Sequence, residues 1–237
     1  MDIDSNRIIE LKLEFEKKSV QEILKRAYDE FREELAMTTS FGYSGIVLLS
    51  FIKETIPKIP IFFIDTRLHF EETLKLANKI KKEWNLNIIK ISTKLTEEEL
   101  KEKLGKEAYK TNPDLCCKYR KVEPLMEVLK DYKAWLSAIR RDQAASRENI
   151  DLVEFDERGF VKINPLYNWT RDQTWMHIRK YDLPYNPLYD QFYPSIGCKP
   201  CTSPVDKGGN ERDGRWRGMP KTECGIHIDN DENNENE

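Results

Sequence analysis

The chain has 237 residues, with 39 Lys and Arg against 42 Asp and Glu, and five cysteines. This length fits one domain, or one with an appended lobe, and 34% charged against 39% apolar residues excludes a membrane protein. An odd cysteine number argues against a fully paired disulfide scaffold, and Met1 is followed by acids rather than a basic then apolar leader, which predicts a cytoplasmic chain.

The predicted elements run as follows. Ile8, Leu11, Phe15, Val20, Ile23, Leu24, Tyr28, Phe31 and Leu35 recur at helical spacing and predict a helical segment over 5–36. Thr38-Thr39-Ser40-Phe41-Gly42 reads as a strand end, and the apolar run 45–52 as a buried helix. A continuous apolar strand, 61–65, follows the Pro57/Pro60 loop. The pattern then gives a helix at 70–84, a strand at 87–92, helices at 96–109 and 113–132, and a strand at 135–139. Apolar strands alternating with helices indicate an α/β fold with a parallel sheet covered on both faces. Ligands bind outside the carboxyl ends of such strands, where 40–44, 65–69 and 140–147 would fall on one rim. Beyond 150 come two short strands, 152–155 and 161–163, around the turn 156–159. A helix over 169–180 follows, with Thr170 as its cap. From Leu183 the chain is rich in Pro, Tyr, Gly and Cys and looks irregular.

Four parts result: a helical segment 1–36, an α/β domain 37–182, an irregular segment 183–227 and an acidic tail 228–237. The last nine residues hold five acids, four Asn and nothing basic, so without them 39 basic residues face 37 acidic ones. A tail of this composition cannot bury apolar surface and is read as disordered. The body is near neutral, and its Lys and Arg are interleaved with acids, so no nucleic-acid partner is expected.

The cysteines are grouped. Cys116 and Cys117 are adjacent, Cys198-Lys199-Pro200-Cys201 is a C-x-x-C, and Cys224 stands alone. Two pairs suit a thiolate site for zinc or an iron–sulfur cluster. Cys198 and Cys201 could equally form a redox dithiol, and all five could be buried thiols that behave as small hydrophobes. An adjacent pair fits zinc-ribbon knuckles badly, which tilts a metal reading toward a cluster. Cys224 lies near Lys221 and His227 and precedes Gly225. Positive charge would favour its thiolate; the alternative is an inert exposed thiol.

Arg140-Arg141-Asp142-Gln143-Ala144-Ala145-Ser146-Arg147 and Arg212-Asp213-Gly214-Arg215-Trp216-Arg217 are basic clusters. Guanidinium groups there could bind phosphate or sulfate oxygens, or form surface ion pairs. Lys118, Arg120 and Lys121 follow the cysteine pair. Residues 40–45 could cradle an anion at a helix N-terminus.

Read together, these segments resemble the assimilatory adenylyl-sulfate (adenosine 5′-phosphosulfate) reductase family. The resemblance runs from about Thr38 to His227. It rests on Thr39-Ser40-Phe41-Gly42, Asp65-Thr66, Cys116-Cys117-Lys118-Tyr119-Arg120-Lys121-Val122-Glu123-Pro124-Leu125, Arg140-Arg141-Asp142-Gln143, Lys162-Ile163-Asn164-Pro165-Leu166, Asp182-Leu183-Pro184-Tyr185-Asn186-Pro187-Leu188, Tyr193-Pro194-Ser195-Ile196-Gly197-Cys198-Lys199-Pro200-Cys201-Thr202 and Glu223-Cys224-Gly225-Ile226-His227. It implies a fold like that of the adenine-nucleotide-binding PP-loop enzymes. It also implies a 4Fe–4S cluster on Cys116, Cys117, Cys198 and Cys201, with Cys224 as nucleophile on a mobile C-terminal segment. Lys121, Arg147, Arg212 and Arg215 match basic positions near the phosphosulfate, and Ser40, Phe41, Gly42, Asp65, Thr66 and His227 complete the expected substrate site. The activity implied is reduction of adenosine 5′-phosphosulfate to sulfite and AMP through an S-sulfocysteine. No fused glutaredoxin-like domain is expected, so thioredoxin would be the external reductant; a homo-oligomer is left open.

Two segments depart from the family pattern. Asp65-Thr66-Arg67 stands where Asp-Thr-Gly is usual, which would place a side chain where a ligand approaches. Tyr43-Ser44-Gly45 stands where an acidic residue is frequent. The rival readings are a reductase for the 3′-phosphorylated substrate, whose members typically lack the four paired cysteines, or one that uses both substrates, an ATP-dependent PP-loop adenylating enzyme, whose Ser-Gly-Gly-x-Asp-Ser loop is not present at 40–45, and a non-catalytic zinc module.

Overall fold

The computed structural model describes residues 5–155 and 158–227. The acidic tail, and two residues of the turn at 156–159, lie outside the described residues.

The N-terminal segment forms two helices rather than one, α1 (Ser5–Phe15) and α2 (Val20–Phe31). Ser19 breaks the run because its hydroxyl accepts the Glu22 N–H while the Glu22 carboxylate accepts the Ser19 N–H, a reciprocal cap that starts a new helix. Leu35 and Ala36, read from their spacing as helical, are the first residues of strand β1 (Leu35–Thr39). Their apolar character suits either state, and burial in a central strand decides it.

The other strands are β2 (Ile61–Ile64), β3 (Ile88–Ile91), β4 (Ala134–Leu136), β5 (Val153–Phe155) and β6 (Val161–Ile163). They form one sheet in the order β3-β2-β1-β4-β6-β5, parallel except for the edge strand β5. Alternate side chains feed two cores. Leu35, Met37, Ile61, Phe63, Ala134 and Leu136 join the larger one, with α1, α2, α3 (Tyr43–Thr55) and α4 (Glu71–Glu83). Ala36, Phe62 and Trp135 join the smaller one on the opposite face, with Leu125 and Leu129 of α8 (Glu123–Leu129) and Ile226. Burial on both faces explains the unbroken apolar strands.

The stretch read as a helix over 96–109 is α5 (Glu97–Leu104), ended by Gly105, followed by the single turn α6 (Ala108–Thr111). The stretch over 113–132 is α7 (Pro113–Cys117), a π-helical turn over Lys118–Val122, and α8. A wide turn of this kind re-aims side chains within a helix and recurs at functional sites. The last long helix is α9 (Arg171–Lys180), capped by Thr170. Among the described residues no helix is long and apolar enough to cross a membrane.

The chain passes from β1 outward to β2 and β3, then returns to place β4 on the other side of β1. This reversal opens a crevice at the carboxyl ends of β1 and β4, the usual ligand position in open parallel sheets.

Candidate active site

The crevice encloses about 1080 Å³, its open mouth included. The ends of β1 and β4, the start of α3 and the C-terminal segment line it. Of the expected substrate residues, Ser40, Gly42, Thr66, Lys121, Arg147, Arg212, Arg215 and His227 line this cleft together with Cys224. Phe41 and Asp65 do not. Phe41 takes φ 57° and turns its ring into the core, 5.0 Å from that of Phe63. The Asp65 carboxylate accepts the Arg67 N–H at 2.9 Å and pairs with Lys90 at 3.0 Å. Its partial burial would raise its pKa, but those partners hold it below the usual carboxylate value.

Arg67 corrects one expectation. Its φ of 59° is the left-handed region that favours glycine. Its guanidinium nevertheless leaves the cleft and donates to the carbonyls of Leu95, at 2.8 Å, and Thr93, at 2.9 Å. The ligand approach therefore stays open.

The two cysteine pairs meet beside the cleft, which Cys198 lines. All five cysteines are free thiols, and the four paired ones are buried. The Lys199 N–H donates to the Leu68 carbonyl at 2.7 Å, which docks the C-x-x-C segment on the loop after β2. There Thr66 Oγ1 lies 3.2 Å from Cys198 Sγ. Cys117, Cys198 and Cys201 pack with Trp216, and Cys116 and Cys117 are both within electrostatic reach of Cys198. Burial raises the Cys117 thiol to about 12 and the Cys201 thiol to about 11. Unaided, these groups would stay protonated, and a bound metal group is what ionises such thiols. Among the described residues no three His, Cys, Asp or Glu side chains are arranged to hold a single metal ion. The four buried thiols nevertheless converge and fit a cluster site.

The π-helical turn sends two adjacent cations different ways. Arg120 donates to the Thr66 carbonyl at 2.9 Å and pairs with Glu97 at 2.6 Å. Lys121 lies among the thiols. Desolvation works against its charge, but Cys198, Cys117 and Cys224, when ionised, outweigh this and hold it protonated.

Cys224 is carried on a segment docked by buried ion pairs. Glu223 accepts Arg147 at 2.8 and 2.9 Å, Arg212 at 3.0 Å and Ser146 at 3.2 Å. Burial would raise the Glu223 carboxyl, and Arg147 more than offsets it. Beyond the cysteine, Gly225 takes φ 77° and Ile226 enters the smaller core. His227 stacks on Trp135 with centroids 5.8 Å apart, and its carbonyl accepts Lys162 at 2.9 Å. The buried His227 ring is driven well below its ordinary pKa and stays neutral. The Cys224 thiol moves the other way from Cys116, Cys117 and Cys201. Burial would raise its pKa, but Lys121, the Ile226 N–H and Arg212 bring it below the ordinary thiol value.

The cations around this thiol are incompletely neutralised. Arg147 and Arg212 share Glu223, while Lys121 and Arg215 have no carboxylate partner among the described residues. Arg215 Nε is buried without a hydrogen-bond partner. Arg212 is pushed down to about 10 by burial and by Arg147 and Arg215, so it remains charged in a strongly positive field. Trp216 gathers Lys121, Arg212, Arg215 and Lys221 around its ring at 5.8, 5.8, 4.5 and 5.5 Å. A lowered thiol beside cations with no carboxylate partner among the described residues is an arrangement that can attack a polyanion and stabilise the charge that develops. Trp216 and Glu223 fell inside recognised motifs, yet nothing local marked them as the organisers of these cations.

A model of the phosphoadenosine phosphosulfate reductase domain matches residues 34–204. A Bacillus thuringiensis (strain Al Hakam) protein named adenosine 5′-phosphosulfate reductase is 44% identical over 217 residues, which covers 91% of this chain and 93% of that protein. A protein of the same name from Bacillus mycoides (strain KBAB4) is 43% identical over the same shares. The crystal structure of phosphoadenylyl-sulfate reductase from Candida auris, in a phosphate complex, matches with a TM-score of 0.75 at 33% identity, covering 86% of this chain and 99% of that one. Candida glabrata FMN adenylyltransferase matches with a TM-score of 0.58 at 18% identity, covering 93% and 78%, a likeness of fold alone.

Proposed function

The chain belongs to the phosphoadenosine phosphosulfate reductase family, and from that premise we propose that it reduces adenosine 5′-phosphosulfate to sulfite and AMP in sulfate assimilation. The observation that carries this reading is the lowered Cys224 thiol in one cleft with Lys121, Arg212 and Arg215.

In the proposed reaction the nucleotide lies along the β1 and β4 ends, with Ser40, Gly42 and Thr66 beside it. Phe41 and Asp65 shape that surface through the turns they hold. The Cys224 thiolate attacks the sulfate sulfur, the sulfur–oxygen bond to phosphate breaks, and AMP leaves with the bridging oxygen and its electron pair. Negative charge grows on that oxygen, and Arg147, Arg212, Arg215 and Lys121 stabilise it more than they stabilise the bound substrate. His227, neutral and stacked on Trp135, helps to hold the segment that carries Cys224 over the cleft.

The product on the enzyme is an S-sulfocysteine. A dithiol such as thioredoxin then attacks the Cys224 sulfur, sulfite departs with the bonding pair, and the second thiol closes its own disulfide and restores Cys224. Cys116, Cys117, Cys198 and Cys201 would hold a 4Fe–4S cluster, which when bound supplies an electrostatic and positioning centre beside Lys121.

The test is direct. The reduced protein with adenosine 5′-phosphosulfate and thioredoxin is expected to release AMP and sulfite in equal amounts. Its kcat/KM is expected to exceed that on the 3′-phosphorylated substrate at least tenfold, in keeping with the four paired cysteines. The opposite preference overturns the substrate assignment, and absence of sulfite overturns the reading.

Gly197 gives a second check. A Cβ there would lie 2.2 Å from Arg215 Nη2 and 2.5 Å from its Cζ. Gly197→Ala is therefore expected to displace this guanidinium and raise KM about tenfold, the loss of one charge-assisted hydrogen bond. Steady-state kinetics on the cluster-loaded variant reads this, and an unmoved KM would remove Arg215 from the substrate site.

A further inference from the structure

Tyr43-Ser44-Gly45 departs from the family pattern by lacking an acid, and the structure brings that charge from elsewhere. Arg140, fully buried after β4, donates from Nη2 to Tyr43 Oη at 2.7 Å and to Glu211 Oε2 at 3.0 Å. Its Nη1 donates to Ser44 Oγ, and its Nε to Asp142 at 2.9 Å. The Tyr43 hydroxyl in turn donates to Glu211 Oε2 at 2.6 Å. The Tyr43 ring stacks on Trp175 at 5.1 Å. A guanidinium with no exposure needs a carboxylate close by. Asp142 supplies one from two residues away, and Glu211 a second from 71 residues further along the chain.

The sequence position of that carboxylate matters. Glu211 directly precedes Arg212, and the turn from Arg212 to Arg215 is closed by the Arg215 N–H on the Arg212 carbonyl at 2.8 Å. Holding Glu211 therefore holds both arginines. Asp142, or a carboxylate placed within 43–45, would also meet Arg140 but would hold nothing of the C-terminal segment. Resting on the proposed anion site, we infer that Glu211 is a positioning residue: its clamp on Tyr43 and Arg140 seats Arg212 and Arg215 against the phosphosulfate group. The clamp also ties the start of α3, at the nucleotide end of the cleft, to the segment that binds the sulfate end.

The experiment separates clamping from mere neutralisation. Glu211→Gln removes the charge. Ser44→Asp with Glu211→Gln supplies Arg140 with a carboxylate that is not attached to the segment. Ser44→Asp alone sets the baseline for an acid at that position, where Ser44 lies in the first turn of a helix and an acid suits the helix dipole. The three variants are compared with the cluster-loaded wild-type enzyme by thermal unfolding and by KM and kcat on adenosine 5′-phosphosulfate. Calorimetric Kd for the same compound, in a Cys224→Ser background, gives a reading independent of turnover.

Glu211→Gln is expected to lower the unfolding temperature and raise KM and Kd at least tenfold, with a smaller change in kcat. The double variant is expected to regain the unfolding temperature while its KM and Kd stay at least tenfold above those of Ser44→Asp. Return of KM and Kd to the Ser44→Asp values together with stability would reduce Glu211 to a counter-ion and overturn the inference. An unmoved Kd in Glu211→Gln would do the same. If Glu211→Gln does not fold, the double variant carries the comparison. A wild-type chain that binds the compound but releases no sulfite would count against the proposed reaction and leave the Kd comparison to decide the clamp.

Discussion

Mixing the reduced, cluster-loaded protein with adenosine 5′-phosphosulfate and no reductant is expected to add one SO₃ group to Cys224 and to release one equivalent of AMP. The physical reason is the contrast between Cys224 and three of the paired thiols. Burial raises Cys116, Cys117 and Cys201, whereas Lys121, the Ile226 N–H and Arg212 lower Cys224 despite its burial. Only the thiolate is a competent nucleophile, so modification should be selective. Cys224→Ser should give no adduct and lose on the order of 10³-fold or more in kcat, because a serine hydroxyl does not ionise in this field. Its substrate affinity should change far less, since the cations that bind the anion remain. Peptide mass spectrometry after rapid quenching reads both results. An unmodified Cys224 during turnover, or an adduct on another cysteine, would remove it from the nucleophile's role.

The second large effect concerns the cluster. Cys198→Ala is expected to lose most of the iron, about four atoms per chain in the wild type, together with the brown colour and the activity. The parallel sheet should survive. Cys198 belongs to the small group with Cys117, Cys201 and Trp216, whereas the sheet is held by the two larger cores on its faces. A cooperative thermal transition and an unchanged far-UV spectrum are the expected signs. Global unfolding would instead make the thiol site a structural staple of the fold. Iron analysis and circular dichroism separate the two outcomes without any assay of turnover.

Much of this organisation was legible in the chain itself, for reasons that differ by element. The runs at 61–64 and 134–136 are apolar without a break because side chains on both faces of these strands are buried. The rim residues could be placed because parallel strands end on one side. The helix over 5–36 was overextended because a period of 3.6 does not register a two-residue entry into a central strand, nor a cap such as Ser19. The π-helical turn after Cys117 left no periodic trace either, since it adds one residue within a stretch that remains helical.

Residue type and short spacing alone put the chemistry on offer: four paired cysteines, one spare, and basic residues at strand ends. These are properties of residue type and short spacing, which survive without knowledge of the fold. Folding sets which charges neutralise each other and which remain for a ligand. Glu223 neutralises Arg147 across 76 residues, and Tyr43 meets Glu211 across 168. Those pairings follow from the strand order and the return of the C-terminal segment over the cleft. Ion-pair energies depend on distance and burial rather than on sequence separation, so that Lys121 and Arg215 stand beside Cys224 with no carboxylate partner among the described residues emerges only once the chain is folded.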